Sequence, residues 1–144
     1  MIVLDTSVVS EVMKPAPSES VLRWLTAQEP PSIFITVITQ AEMLYGVEVL
    51  TSGKRKQSLL ALNEKLFGAE GFQGRILPFD QQSAREFASI LAGRKTAGRP
   101  ISHFDAMIAA IARSHGATLA TRNTTDFEHC GIRLVNPWTA PDVH

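Results

Sequence analysis

The chain has 144 residues, of which 44% are hydrophobic and 19% charged, a composition that excludes an intrinsically disordered protein and predicts one globular domain over residues 1–144. The 14 lysines and arginines balance the 14 aspartates and glutamates, so no global field attracts nucleic acid or an anionic membrane. A single cysteine excludes an intramolecular disulfide, and no apolar run approaches the ~20 residues that cross a bilayer, so a cytoplasmic protein without membrane contact is the simplest expectation.

Short apolar runs alternate with amphipathic segments along the chain. The runs predict strands at 2–5, 33–36, 75–78, 118–121 and 132–135. The amphipathic segments predict helices at 7–13, 18–28, 39–51, 54–68, 81–97 and 103–115, with a helical turn at 124–128. Strands that alternate with helices imply a mainly parallel sheet with helices on both faces, an α/β fold.

The apolar positions of the early helices predict the side of each helix that faces the core. In the second helix these positions include Leu22, with Trp24 beside them, and in the fourth they include Leu62. The sixth helix is predicted to end before Gly116, in the position that favours glycine after a helix end. The full set of predicted stripe positions is Val9, Val12, Val21, Leu22, Leu25, Leu59, Leu62 and Leu66.

Four acidic residues stand where a strand ends or a helix begins. Asp5 ends the first apolar run, Glu42 follows the second, Asp105 heads an apolar stretch, and Asp126 comes shortly after the fourth strand. In a parallel sheet, ligands bind beyond the carboxyl ends of the strands. We therefore expect the four carboxylates to converge on one pocket.

Each of these acids also has a purely structural explanation. Asp5 could accept hydrogen bonds from the amides at the start of the next helix. The other three acids fit capping-box spacing, in which the polar residue three positions before the acid caps the start of the helix. These pairs are Thr39 with Glu42 and Ser102 with Asp105, and Asn123 with Asp126 is a looser version of the same pattern.

Convergence of four carboxylates would require a cation, because mutual repulsion otherwise raises their pKa values. Oxygen ligands without a histidine or cysteine cluster favour a hard ion, Mg²⁺ or alternatively Mn²⁺, over zinc. Such an ion activates water and stabilises charge on phosphate, so the pocket predicts phosphodiester or phosphoryl-transfer chemistry.

The sequence resembles the PIN-domain ribonucleases of the VapC toxin family, and within them the FitB-like branch. The resemblance implies an α/β/α sandwich, Mg²⁺-dependent cleavage of RNA, and a type II toxin–antitoxin role in which a cognate antitoxin blocks the site. It also implies a homodimer and a toxin–antitoxin hetero-oligomer. Five motifs in order carry it: Ile2-Val3-Leu4-Asp5-Thr6-Ser7, Glu42-x-x-x-Gly46, Asp105-Ala106-Met107-Ile108-Ala109-Ala110, Thr121-Arg122-Asn123-x-x-Asp126-Phe127 and Asn136-Pro137-Trp138.

The same resemblance assigns roles to individual residues. Asp5, Glu42 and Asp105 match catalytic metal ligands of the family, and Asp126 is the candidate for the fourth acid. Some relatives place an acid where this chain has Asn123. The predicted substrate-binding residues, for which a helix cap or a surface salt bridge is the structural alternative, are Thr6, Ser7, Arg122 and Asn123.

Three further features of the sequence each allow two interpretations. The basic clusters Lys54-Arg55-Lys56 and Arg94-Lys95, with Arg99 nearby, are interpreted as solvated helix faces, with local contact to nucleic acid as the alternative. Gly46 inside a helix suggests either a close helix–sheet contact or tolerated strain. By family analogy, the surface of helices 7–28 and 54–68 is expected to receive an antitoxin segment and to support dimerisation, beyond its part in the core.

Two other functional classes stay open. An Asp after the first strand also serves aspartyl-nucleophile phosphatases, although Ser7 stands where a second Asp is expected. The chain could also be a non-catalytic interaction module whose acidic site is structural. A phosphorylated Asp5 would favour the first alternative, and partner binding without turnover the second.

Overall fold

Five short strands form one parallel sheet in the computed structural model of the chain, which describes residues 1–141. Their order across the sheet is β3-β2-β1-β4-β5, with Ile2 of β1 beside Ile33 on one side and Thr118 on the other. The last three residues of the predicted domain lie outside the described part. The strands are β1 (Ile2–Leu4), β2 (Ile33–Thr36), β3 (Ile76–Leu77), β4 (Thr118–Ala120) and β5 (Arg133–Val135).

The direction in which the sheet grows reverses at β1. The chain builds outward from β1 through β2 to β3 and then crosses back to place β4 on the other side of β1. In a parallel sheet this reversal leaves a crevice beyond the carboxyl ends of the two central strands, and ligands bind there. Asp5 directly follows β1 and Thr121 directly follows β4, so both stand at the crevice.

Helices connect the strands, as the sequence predicted, and the α/β fold with a parallel sheet is confirmed. Within residues 1–141, no helix is both long and apolar enough to span a bilayer. The helices are α1 (Thr6–Val12), α2 (Glu19–Thr26), α3 (Val37–Glu48), α4 (Lys54–Phe67), α5 (Gln81–Thr96) and α6 (His103–Ser114), with 3-10 turns at Pro30–Ser32 and Thr124–Phe127.

Two apolar clusters pack on opposite faces of the sheet. Because side chains alternate along a strand, Val3 of β1 joins one cluster and Leu4 joins the other. The first cluster contains α6, whose residues Ala106 and 108–112 are fully buried. The second contains Val9 of α1 together with Val21 and Trp24 of α2. The sheet is thus covered on both sides, which holds the carboxyl ends of β1 and β4 in place.

The start of α3 was predicted wrongly, whereas the end of α6 was predicted correctly. Helix α3 begins at Val37 rather than 39, because the Thr36 hydroxyl accepts a hydrogen bond from the Thr39 amide over 3.1 Å and so caps the helix. The capping box predicted at Thr39 and Glu42 is therefore wrong. Gly116 follows the end of α6 with a φ of 61°, and this part of the prediction is confirmed.

Several predicted packing details are also corrected. Leu22 and Leu62 are 38% and 42% exposed and lie outside the core, and in α4 it is Asn63 that is buried. Gly46 has no close contact with the sheet, since a Cβ placed there would meet no atom within 4 Å. These positions depend on how each helix is rotated against its neighbours, which the helical period alone leaves open.

Candidate active site

Asp5 is held at the crevice by two hydroxyl groups. Its Oδ2 accepts hydrogen bonds from Ser7 Oγ over 2.8 Å and from Thr121 Oγ1 over 2.9 Å. Only 5% of the residue is exposed, and its backbone amide donates to the Ala120 carbonyl. Although Asp5 occupies the N-cap position of α1, its side chain makes no capping hydrogen bond. The structural explanation of this acid as a helix cap is therefore wrong.

Glu42 lies across the crevice on α3 and is joined to α1. Thr6 Oγ1 donates to Glu42 Oε1 over 2.9 Å and is also 2.9 Å from Thr39 Oγ1. A hydroxyl donates only one hydrogen, so the Thr39 hydroxyl donates to Thr6 and completes a chain of two bonds to the carboxylate. Burial, and then repulsion from Asp5 and Asp105, raise the pKa of Glu42 against the opposing effect of the Thr6 hydrogen bond.

Asp105 comes to the same crevice from the first turn of α6. The Ser102 hydroxyl caps that helix by accepting a hydrogen bond from the Asp105 amide over 3.2 Å, as the capping pattern predicted. The cap sets the start of the helix and thereby the direction of the Asp105 side chain. Burial, followed by repulsion from Asp5 and then from Asp126, raises the pKa of the half-buried Asp105 carboxyl.

Asp126 lies in the 3-10 turn Thr124–Phe127, opposite Asp105. The two acids line one cleft of about 240 Å³, together with Arg94, Ser102 and the 100–101 segment. Asp126 itself is exposed. Asn123 precedes the turn without capping it through its side chain, so the third predicted capping pair is not formed.

Ser7, Arg122 and Asn123 form the rim of the crevice beside Asp5. The Ser7 hydroxyl, which donates to Asp5, also accepts from the Arg122 amide over 3.2 Å, and the Asn123 amide donates to Thr121 Oγ1 over 3.0 Å. The Arg122 side chain is exposed, and its guanidinium lies 5.1 Å from the centre of the Trp138 ring. It forms no salt bridge within the described residues, which corrects that alternative.

Three residues of the site were missed by the sequence analysis. Thr121 and Thr39 are fully buried hydroxyl residues that contact, directly or through Thr6, the carboxylates of the crevice. Thr121 could have been found, because it ends a predicted strand just as Asp5 does. Arg94 was assigned to a solvated basic face but is only 6% exposed, which corrects that interpretation. Its spacing of four residues from Ile90 places both on one side of α5, but nothing in the local sequence showed that this side is buried.

The negative charge of the crevice is only partly balanced, because Arg94 lowers the pKa of Asp105 against the larger effects of burial and of repulsion from Asp5. None of the four acids forms an ion pair with a lysine or arginine of residues 1–141, and two of them have raised pKa values. As placed, no three acidic, histidine or cysteine side chains in this part of the chain are spaced to enclose a metal ion. Mg²⁺, however, keeps several waters and takes only one or two carboxylates directly. The oxygen-only donor set and its excess of negative charge therefore fit a hydrated divalent cation.

Comparisons with known proteins identify relatives that match nearly the whole chain. VapC ribonuclease Y4jK of Sinorhizobium fredii is 40% identical over 140 residues, which are 96% of this chain and 98% of that protein. Toxin FitB of Neisseria gonorrhoeae is 41% identical over 140 residues, covering 96% of this chain and 99% of the relative. The solved structure of FitAB bound to an IR36 DNA fragment matches with a TM-score of 0.88 and 40% identity over 100% of both chains.

The model of one family accounts for most of the sequence. The PIN-domain model matches residues 2–131, a range that begins with β1 and includes Asp5, Glu42, Asp105 and Asp126. The match thus includes every strand end and helix start that contributes an acid to the crevice. With relatives of 40% identity over nearly their full length, the chain belongs to the PIN-domain family.

Proposed function

We propose that the chain is a divalent-metal-dependent endoribonuclease, active in the cytoplasm as the toxin of a type II toxin–antitoxin pair. The observation that carries this proposal is the crevice itself, where Asp5, Glu42 and Asp105 come from three separate elements and repel one another without a neutralising ion pair. The ribonuclease and toxin names of the relatives support the same function.

The carboxylates that would hold the cation are Asp5, Glu42 and Asp105, with Asp126 as the fourth acid. Nucleases with this domain generally depend on a divalent metal, and oxygen donors without nitrogen or sulfur favour Mg²⁺, or Mn²⁺ as a substitute. When bound, the cation would lower the pKa of a water and stabilise negative charge on the phosphate. The choice of Mg²⁺ rests on this donor chemistry.

The protein's own groups supply orientation and a proton acceptor. Asp5 is fixed by Ser7 and Thr121, so its free oxygen keeps one direction. Glu42, whose raised pKa brings it closer to neutral pH than an ordinary carboxyl, is the group suited to take a proton from the attacking water. The hydroxyl chain from Thr39 through Thr6 fixes the orientation of Glu42.

The RNA backbone would lie along the rim of the crevice. Thr6, Ser7, Arg122 and Asn123 stand there, next to the carboxylates. Arg122 is the residue with a charge to offer a phosphate, and its exposed guanidinium is held by the Trp138 ring rather than by an acid. The neutral net charge of the chain predicts modest non-specific affinity, so we expect recognition of a structured RNA.

We expect an antitoxin segment and a second copy of the chain to bind the surface of helices α1, α2 and α4. Leu22 of α2 and Leu60 and Leu62 of α4 are 38%, 39% and 42% exposed, and they offer apolar surface that a partner would cover. The similar FitAB structure supports a partner-bound state for this chain. The expected assemblies are a homodimer and a toxin–antitoxin hetero-oligomer.

Cleavage of total cellular RNA by the purified protein tests the nuclease. We expect discrete fragments with Mg²⁺, none with EDTA, and a loss of more than about 100-fold in the Asp5→Asn and Asp105→Asn variants. Glu19→Gln, an exposed acid on α2, is the matched control and should cleave normally. Circular dichroism spectra identical to wild type would show that the variants are folded.

Two outcomes would transfer the assignment to the other functional classes. Phosphorylation of Asp5 during turnover of a phosphate monoester would identify a phosphatase. Partner binding without RNA cleavage, in protein that binds Mg²⁺ and has been freed of antitoxin, would identify an interaction module. Equal cleavage of folded and unstructured RNA would contradict only the expected preference for structured RNA.

The partner surface is tested by charge insertion. Leu62→Glu should weaken antitoxin binding and self-association, whereas Gln81→Glu adds the same charge at the exposed start of α5, outside this surface, and should not. Sedimentation velocity with and without the antitoxin measures both. A wild-type protein that is monomeric alone and binds no hydrophobic dye would contradict this part of the proposal.

A further inference from the structure

Arg94 is a buried cation whose hydrogen-bond partners are mainly backbone carbonyls. It projects from α5, 6% exposed. Its Nε donates to the Arg99 carbonyl over 2.6 Å, and its Nη1 donates to the carbonyls of Asp126 and Glu128 over 2.8 and 2.9 Å. Within residues 1–141 no carboxylate forms an ion pair with it, although its charge lowers the pKa of Asp105 in the same cleft. A charge is buried in this way only where its hydrogen bonds replace those to water.

The acceptors of Arg94 lie in two segments that each carry an acid of the cleft. Arg99 belongs to the connection between α5 and α6 and stands three residues before Ser102, the cap that sets the start of α6 and so places Asp105. Asp126 lies in the 3-10 turn, and Glu128 is the first residue after that turn. One guanidinium therefore joins the segment before Asp105 to the segment that carries Asp126.

The turn that carries Asp126 has few other constraints. The Asn123 side chain does not cap it, and the backbone hydrogen bonds at its two ends measure 3.0 and 3.4 Å. A second link between the two segments, the salt bridge from Arg99 to Glu128, has side chains that are 55% and 47% exposed and contributes little. Arg94 and the buried Phe127 are left as the main anchors of the turn.

We propose that Arg94 is a positioning residue of the acidic cleft, which holds the Asp126 carboxylate across from Asp105 and thereby sets the affinity of the cleft for a divalent cation. The guanidinium suits this task because its planar fork donates in several fixed directions at once, which a lysine ammonium on a flexible stem does not reproduce. The inference rests on the proposed function, since it assumes that the cleft binds a cation.

A double-mutant cycle on Mn²⁺ affinity tests the inference. Arg94→Lys keeps the charge but loses the fork, and we expect it to weaken Mn²⁺ binding by about 10- to 100-fold, as loss of a group that orients a metal ligand does. In the Asp126→Asn background the same change should alter the affinity by less than about twofold, because the carboxylate that Arg94 positions is already absent and the Ser102 cap still holds Asp105. Calorimetry or electron paramagnetic resonance of free Mn²⁺ measures the affinity without RNA.

Arg75→Lys is the matched control. Arg75 directly precedes β3 and likewise donates to backbone carbonyls, those of Pro30, Ile33 and Gly71, but it contacts neither segment of the cleft. Its variant should bind Mn²⁺ like the wild type even if it is less stable. The comparison therefore separates the loss of a positioning contact from a general loss of stability as the cause of weaker Mn²⁺ binding. Arg94→Gln, which retains one donor group, is the second variant if Arg94→Lys does not fold.

Several results would overturn the inference. Mn²⁺ affinity unchanged in Arg94→Lys would do so, and so would losses that add fully in the double variant, because Arg94 would then act independently of Asp126. Failure of both Arg94 variants to fold would make the residue a general requirement of the fold. If the wild type binds Mn²⁺ and cleaves RNA, these results sink only the role of Arg94, whereas a wild type that does neither removes the proposed function as well.

Discussion

The Thr6 hydroxyl donates a hydrogen bond to Glu42 Oε1 over 2.9 Å and thereby joins the first turn of α1 to α3. This bond favours the charged form of a carboxyl that burial and neighbouring acids push toward the neutral form. The pKa of Glu42 is thus set by two opposed effects, of which burial is the larger. Removal of the Thr6 hydroxyl should therefore show how far this hydrogen bond lowers the pKa of Glu42.

The Thr6→Val variant should raise the pKa of Glu42 further. If Glu42 must be charged for cleavage, the rate falls as the pH drops through its pKa, so the acidic limb of the pH–rate profile moves to higher pH. At a pH on that limb we expect a loss of about tenfold, the effect of one hydrogen bond to a charged group. Thr6→Ser keeps the hydroxyl and should retain the wild-type profile. An unshifted limb in the valine variant would separate Thr6 from the chemistry of Glu42.

Asp105→Asn should stabilise the metal-free protein at neutral pH. The pKa of Asp105 is higher in the folded chain than in the unfolded one, through burial and then repulsion from Asp5 and Asp126. Such a group contributes stability that is present below its ordinary pKa and is lost as the pH rises through the raised value. The asparagine has no charge to lose, so its advantage should appear over that window and persist above it.

Urea unfolding in EDTA across a pH series measures this difference between Asp105→Asn and the wild type. Asp80 provides a control of opposite sign, because hydrogen bonds from Ser83 at the start of α5 lower the pKa of its carboxyl. Asp80→Ala should therefore destabilise the protein at neutral pH, and this loss should shrink on acidification. A destabilised Asp105→Asn variant at neutral pH would show that Asp105 is not repelled by its neighbours.

The positions of the acids were predictable because parallel strands end at one edge of a sheet. Asp5 directly follows β1, and Asp105 stands in the first turn of α6, so the alternation of strands and helices in the sequence was sufficient to bring them to the crevice. The same argument applies to Thr121 after β4, whose hydroxyl contact with Asp5 was missed only because hydroxyl residues are common at strand ends.

The position of Arg94 was not predictable from local sequence, because its burial depends on a contact across 32 residues with the Asp126 carbonyl. Adjacent basic residues in a helix point in different directions, and the sequence does not say which one faces inward. The start of α3 was predicted wrongly for a related reason. Thr36 and Thr39 are both competent caps, and the end of β2 decides between them.

Gly46→Ala should raise the free energy of unfolding by about 0.5–1 kcal/mol. Gly46 lies inside α3, where glycine is less favourable than alanine, and an added Cβ would meet no atom within 4 Å. Gly71→Ala is the contrasting control, because a Cβ there would lie 2.0 Å from the Leu66 carbonyl oxygen and should destabilise the chain. Urea unfolding of both variants measures the difference. A destabilised Gly46→Ala variant would show that the helix needs the glycine for a contact made outside the single chain.

Arg122→Gln should weaken RNA binding in a salt-dependent manner. If the exposed guanidinium contacts one phosphate, its loss should reduce the slope of log affinity against log salt by about 0.7, the value for one contact on a single strand. Binding is measured in the Asp105→Asn background, so that the RNA stays intact.

Arg133→Gln is the control for Arg122→Gln. It removes the same charge at the start of β5, the opposite edge of the sheet from the crevice, and should leave the slope unchanged. Loss of the Trp138 contact costs only about 0.5–1 kcal/mol of stability at an exposed site, so the variant should remain folded. Equal slopes in the two variants would mean that Arg122 packs on the tryptophan without meeting the RNA.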